Sequence, residues 1–523
     1  MKQKTYFFKF LATAFVLLSL LLGCNTVKPV EYVPGQEYTL MVLHTNDHHG
    51  TTLAKEGIAG LAERATYIKG IRSEYENVLL LDAGDINSGS ALSNMFYAEP
   101  DIKAYNMMGY QGVALGNHEF DGTLAKLEKQ IEISDFSWLA ANIVKENGDH
   151  FVEPYIIKDY HGFRVAVVGL TTLRTLQIAS PDESLIFLDE IEVAKEVVSY
   201  LKEKELVDVI ILLGHLGSVE ESPNQNTSIK LAQEVESIDL IIDGHSHTKF
   251  EEPLYVNGTP IVSANEWGKF VGQGLLKIVD GQVVDFQWQP VAISTESFPP
   301  DEEIIHLIQP YSAKAEKSLN DVVMNTASEF EFGNKLPRYG ETALGNLLCD
   351  ATVGYVTTTG VYVDFAIQNG GTIRSCLPAG VVTKEDILTM LPFENYIYVL
   401  SLKGEDVIEL FEYIGTVKQG AGGFPQFSKE VSYTLKYDQQ GNGKVTDLLI
   451  DGQPIVPSAI YSIATNDYLA GGGDGYEVFK KCIDSYNTSM LLSEAVVEYA
   501  KTLPQPVQPI KDGRIKVVGG IQP

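Results

Sequence analysis

TNDHHG, residues 45–50, closes an apolar run at residues 38–44 and sets a carboxylate and two imidazoles at the tip of a predicted strand. Four more segments of the same chemistry follow: Gly84-Asp85, GNHEFD at residues 116–121, Gly214-His215, and GHSH at residues 244–247. Each comes directly after a short apolar run, at residues 78–81, 112–115, 209–213 and 240–242. Such runs bounded by Gly read as buried strands, and helical patterns lie between them over residues 58–72, 124–133, 193–205 and 227–235. Strands alternating with helices give a mostly parallel, layered α/β architecture. Ligands gather there at the carboxyl ends of the strands, where all five segments fall.

Of the ten histidines, seven lie inside or against these segments: His44, His48, His49, His118, His215, His245 and His247. His44 belongs to the strand and is expected to pack, and His48 to face solvent. Carboxylate, imidazole and carboxamide donors with no Cys nearby suit zinc, manganese, cobalt, iron or magnesium without choosing among them, and exclude a thiolate finger. Asp47, His49, Asp85, Asn117, His215, His245 and His247 are too many side chains for one tetrahedral ion. With one bridging carboxylate they fit two divalent ions. Such a pair about 3.5–4 Å apart can activate a water and clamp the oxygens of an in-line phosphoryl displacement.

These motifs resemble the bacterial UshA-like 5'-nucleotidases, relatives of ecto-5'-nucleotidase, whose first domain is a calcineurin-like metallophosphoesterase. The resemblance implies that Asp47, His49 and His247 hold one metal and Asn117, His215 and His245 the other, with Asp85 bridging. It makes His118 and Asp121 the catalytic dyad. The implied fold is an αββα metallophosphoesterase domain over residues 37–298, a linker helix over 299–320 and a second α/β, nucleotide-binding domain over 321–520. A large rotation between the domains, with its hinge near residues 301–319, is implied as well.

In the second half, GETALGNLLCDA (340–351), FAIQNGGTIR (365–374), TMLPFEN (389–395) and ATNDYLAGGGDGY (464–476) occur in the order of that family's C-terminal domain. By similarity, Phe393 and Tyr468 sandwich the base and Asp474 contacts the ribose, while Asn369, Gly371, Arg374 and Arg338 line the nucleotide site. Many relatives read RxRETNLGN where this chain has RYGETALGN, so Gly340 and Ala343 replace an Arg and an Asn. A cation near the substrate phosphate is therefore expected to be missing.

Lys2, Lys4 and Lys9 precede a thirteen-residue apolar segment, residues 10–22, which is short for a membrane span and suits a signal peptide over residues 1–23. The LLGC ending resembles a lipobox, with Cys24 lipidated and residues 24–36 as tether. An exported, periplasmic or cell-surface, lipid-anchored protein is expected, acting as a monomer on a small nucleotide. Removing the three leader lysines from 39 basic residues leaves 36 against 69 acidic, a net charge of −33, which argues against nucleic-acid polymers as partners. Cys349, Cys376 and Cys482 allow at most one disulfide. The expected activity is release of phosphate from nucleoside 5'-monophosphates. The alternatives are a 2',3'-cyclic nucleotide phosphodiesterase, a UDP-sugar or NAD pyrophosphatase, or a binding lipoprotein without chemistry.

Overall fold

The computed structural model describes residues 33–55, 57–160, 162–179, 181–220, 225–438 and 440–521. Cys24, the leader and most of the tether lie outside the described residues. Two six-stranded sheets build the first domain. In one, Glu37–Thr45, Val78–Asp82, Gly112–Ala114 and Ser137–Leu139 run parallel. In the other, Phe163–Thr171, Val209–His215, Leu240–Asp243 and Thr259–Val262 run parallel, and antiparallel strands complete the edges.

The strands are apolar throughout because both of their faces are covered. Along Glu37–Thr45, Leu40 and Val42 join a core between the sheets with Leu79, Leu81, Val167 and Ile211, whereas Met41 and Leu43 pack outward with Ile68 and Ile102 of the helical layer. Side chains alternate across a strand, so one continuous apolar run feeds two cores. Helices Glu190–Tyr200 and Ser228–Glu234 cover the second sheet through Ile191, Val198 and Leu231. The result is the helix-sheet-sheet-helix sandwich that the family resemblance implies.

Helix Glu302–Leu319 follows, capped by Asp301, whose carboxylate accepts from the Glu303 and Ile304 N–H groups at 3.1 and 3.2 Å. It is more than a connector: Ile304, Ile308, Ala315 and Leu319 enter the first domain's core, so the chain leaves that domain after Leu319. The second domain centres on a five-stranded mixed sheet ordered Pro425–Phe427, Phe365–Asn369, Ile460–Asn466, Tyr396–Lys403, Asp484–Leu491. Helices Ala343–Thr358 and Leu492–Thr502 cover one face and Gly404–Thr416 the other. Among the described residues no helix is long and apolar enough to cross a membrane.

A buried polar network supports the first strand tips from below. His48 is fully buried, contrary to the solvent-facing position expected for it, because helix Leu61–Glu74 closes over its loop and brings Arg64 against it. His48 Nε2 lies 3.0 Å from Asp101 Oδ1, and Arg64 Nη2 lies 3.2 Å from His48 Nδ1. Arg64 also donates to Tyr105 Oη at 3.3 Å, which donates to Asp82 Oδ2 at 3.0 Å. Asp82 in turn accepts from Thr45 Oγ1 at 2.5 Å and from the Gly84 N–H at 2.9 Å, tying the first two strand ends together. Removing one member of a buried charged network costs about 3–5 kcal/mol. Arg64→Met should show a loss of that size in a urea unfolding curve.

Candidate active site

The strand ends turn sharply at the predicted ligands. Asp47, His49, Asp85, His245 and His247 have φ of 51°, 47°, 60°, 77° and 51°, in the left-handed region that side chains other than Gly rarely adopt. Each such residue costs about 1–3 kcal/mol and persists only where its surroundings over-determine it. They do so here. The Asp47 N–H donates to the Gly84 carbonyl and the His49 N–H to the Asp85 carbonyl, both at 2.9 Å. The His245 N–H donates to Asp47 Oδ1 at 3.0 Å. Gly116 is required beside them, since a Cβ there would stand 2.2 Å from Asp85 Oδ1.

Their side chains converge with the lone pairs facing inward. His49 Nδ1 lies 3.2 and 3.1 Å from the Asn87 and Ser88 carbonyls, so it carries the proton and Nε2 is left as an acceptor. That Nε2 is 3.1 Å from His247 Nε2, whose own Nδ1 is 2.5 Å from Glu266 Oε2. His215 Nδ1 donates to the Ala83 carbonyl at 2.7 Å, turning Nε2 toward Asp85 Oδ2 at 3.1 Å and Asn117 Oδ1 at 3.2 Å. His245 Nδ1 meets the same Asn117 oxygen at 2.8 Å. Ring nitrogens fixed from outside by carbonyls and carboxylates are the mark of metal-ligating histidines.

Positive charge is what such a centre lacks. Burial works against a charged His215, yet the Asp85 and Asp47 carboxylates outweigh it and raise the ring to about 10. The donor atoms of Asp47, His49 and His247 lie within 4.8 Å of one another, as do those of Asp47, Asp85 and His215. The residues thus fit two divalent ions side by side, with Asp85 standing between His215 and His49, at 3.1 and 3.9 Å.

His118 sits beside this centre on a short 3-10 turn, its Nδ1 2.6 Å from Asp121 Oδ2 and its backbone N–H donating to Asp85 Oδ1 at 2.9 Å. Ser88 donates to the same Asp121 oxygen. Burial disfavours the imidazolium, but Asp121 and Asp85 raise it to about 9. Glu119, to which the sequence reading gave no role, is buried and accepts backbone N–H groups of Asp85, Ile86, Asn87 and Gly116 at 2.7–3.2 Å. It fixes the loop that carries Asp85, and its place inside GNHEFD was the available signal.

A cavity of about 460 Å³ joins the two domains at this point. Asp85, Asn117, His118, Asp121, His245 and His247 line it from the first domain; Arg338, Asn369, Gly371, Arg374, Phe393, Tyr468 and Asp474 line it from the second. Asp47, His49 and His215 lie behind that wall. Burial and the Arg338 guanidinium lower Arg374 to about 10, which leaves it charged at neutral pH. The Phe393 ring stacks on His118 at 5.6 Å and 11°, and the Arg374 guanidinium lies 5.1 Å from its centre. Next to Phe393, Lys126 pairs with Glu394 and Asn94 donates to the Pro392 carbonyl at 2.7 Å. Asn369 is largely engaged within the protein: it donates to Asp474 Oδ2 at 2.8 Å and accepts from Thr372 at 2.6 Å. Tyr468 Oη accepts from the Asp474 N–H at 2.8 Å.

Arg174, Lys335 and Glu266 also line the cavity, and the sequence reading did not single them out. Arg174 follows strand Phe163–Thr171, a strand tip of the same kind as the others, which could have flagged it. Gly340 carries its backbone carbonyl against Gln426 and faces Val517. No cation stands at Gly340 itself, and Arg174 and Lys335 are among the basic residues that line the cavity. Cys349, Cys376 and Cys482 are all free thiols.

Comparison with known proteins agrees with this geometry. Residues 40–249 match the calcineurin-like phosphoesterase family and residues 322–481 the 5'-nucleotidase C-terminal domain. A 5'-nucleotidase of Vibrio vulnificus is 33% identical over 93% of this chain and 95% of its own length. Protein UshA of Escherichia coli is 32% identical over 90% and 92%. The crystal structure of a 5'-nucleotidase precursor from Thermus thermophilus, 26% identical, superposes with a TM-score of 0.77 over 92% of this chain and all of its own. With Asp85 between both ion positions, Asp85→Ala should lower bound metal from about two ions per chain to one or fewer, counted by plasma mass spectrometry after dialysis.

Proposed function

Because the chain belongs to the two-domain 5'-nucleotidase family, metal-dependent hydrolases of phosphoric ester bonds, we propose that it releases phosphate from nucleoside 5'-monophosphates outside the cytoplasm. The observation that carries this reading is the single cavity that the metal-ligating residues, the His118–Asp121 pair, Arg374 and Tyr468 all line or adjoin. When bound, two divalent ions lower the pKa of a water and neutralise charge on the phosphoryl oxygens. Positioning and charge neutralisation carry most of such a reaction.

In this reading Asp121 fixes His118 through Nδ1, so that Nε2 serves the substrate. A protonated Nε2 donates to a phosphoryl oxygen and offers a proton to the departing alkoxide. Arg374 adds a fork of donors for the same group. Tyr468 and Phe393 grip the base by stacking, worth about 1–3 kcal/mol per base in nucleic-acid binders. Phe393 rests on His118 here, so its contact with a base is coupled to the position of the dyad. Export and anchoring rest on the leader and the Cys24 lipobox, and a monomer on both walls of the cavity coming from one chain.

AMP should release orthophosphate, EDTA should abolish that release, and manganese, zinc or cobalt should restore it; no release with any of the three ions refutes the reading. His118→Ala should retain its metal and lose about 10²–10⁴-fold in kcat. Cys24→Ser should move the protein from the membrane to the soluble fraction, followed by immunoblot.

A further inference from the structure

His247 is the exposed member of its ligand set. Its side chain is 35% exposed, against 0% for Asp47 and 6% for His49, the two residues whose donor atoms it joins. The outer nitrogens of His49 and His215 rest on backbone carbonyls, which the fold supplies whatever side chain stands nearby. His247 rests on a side chain instead. Its Nδ1 donates to Glu266 Oε2 at 2.5 Å, which leaves the Nε2 lone pair facing the space it shares with Asp47 Oδ1, 3.5 Å away. The other Glu266 oxygen lies 3.0 Å from Lys269 Nζ, and that ammonium stands 4.1 Å from the centre of the Trp267 ring. The carboxylate is thus held at both of its oxygens.

The turn that carries Glu266 is built against both loops that supply this ligand set. Asn46 accepts from the Ala264 N–H at 2.8 Å and donates to the Asn265 carbonyl, and the Trp267 N–H donates to the Asp47 carbonyl at 2.7 Å. Asn265 donates from its side chain to the His247 carbonyl at 2.8 Å and from its backbone to the Thr248 carbonyl at 3.1 Å. Asn265 and Trp267 take φ of 64° and 60°, left-handed values that persist only where the surroundings over-determine them. The two loops therefore fix the turn, with Glu266 aimed at His247. A carboxylate on the far nitrogen of a ligating histidine fixes its tautomer and ring orientation and raises its basicity. We propose that Glu266 is a positioning residue that acts through His247 and sets how tightly the ion at Asp47, His49 and His247 is held, leaving the ion at Asn117, His215 and His245 to its own ligands. The inference rests on the two-ion centre and not on the identity of the substrate.

The test loads wild type, Glu266→Ala and Glu266→Gln with zinc and titrates each with a chromogenic chelator, after melts of the metal-free proteins confirm that the variants fold. One ion should leave Glu266→Ala at about a 10–100-fold lower chelator concentration than in wild type, the usual cost of losing such a partner, and the other ion should leave as before. Glu266→Gln should recover part of the loss, since its amide oxygen still accepts from Nδ1 without the charge. Added to His247→Ala, which keeps the other ion, Glu266→Ala should change nothing further. Unchanged release from Glu266→Ala overturns the proposal. So does loosening of both ions by the same factor, or further loosening in the His247→Ala background, either of which makes Glu266 a brace of its turn. A wild type that holds fewer than two zinc ions overturns the centre and the proposal together. The readout is zinc alone, so a failure to release phosphate from AMP would defeat the functional reading and leave this result standing.

Discussion

Three imidazole nitrogens and two oxygens crowd a space a few ångströms across: His49 Nε2 against His247 Nε2 at 3.1 Å, and His215 Nε2 against the oxygens of Asp85 and Asn117. Each of the three rings is turned inward by a bond on its far side, to a backbone carbonyl or to Glu266, so none of them can relieve the crowding by rotating away. Only positive charge makes such an arrangement favourable. Protons supply it in part, as the raised His215 shows, and divalent ions supply it in full. Sandwich, loops and dyad are arranged around that requirement.

The supports lie in layers. Below the ligands, the Arg64–His48–Asp101 and Asp82–Tyr105–Thr45 contacts lock the first two strand tips. Beside them, Glu119 gathers four backbone N–H groups, and above them the second domain lays Phe393 on His118. The side chains that fit two ions come from one domain and most of the remaining cavity-lining side chains from the other. Arg174 is the exception, reaching from the first domain toward Tyr468 and Asp474.

Much of this was legible in the chain because metal ligands are few in kind and each closes an apolar run. The strand at Val78–Asp82 and the helix at Leu124–Ile133 could be read directly, as could the converging Asp, Asn and His residues. Periodicity reports which way a side chain faces within its own element and is silent about what lands on it. His48 is therefore buried against expectation: helix Leu61–Glu74 decides the matter, not residues 45–50. The same holds for the linker helix, whose acidic surface suggested a connector while Ile304 and Ile308 were bound for the first core. Arg174 escaped notice because its strand tip carries no His or Asp to mark it as the other tips do, and the stack of Phe393 on His118 depends on segments hundreds of residues apart.

The left-handed turns at Asp47, His49, Asp85, His245 and His247 constrain how these loops can drift. Among residues with a side chain, Asn, Asp and His adopt that conformation most readily, and all three can ligate an ion. Backbone shape and coordination chemistry therefore select the same small alphabet, and a β-branched replacement would be refused by the turn before its lost ligand was felt. Descendants of this chain can exchange one ligand type for another far more easily than they can abandon the cage.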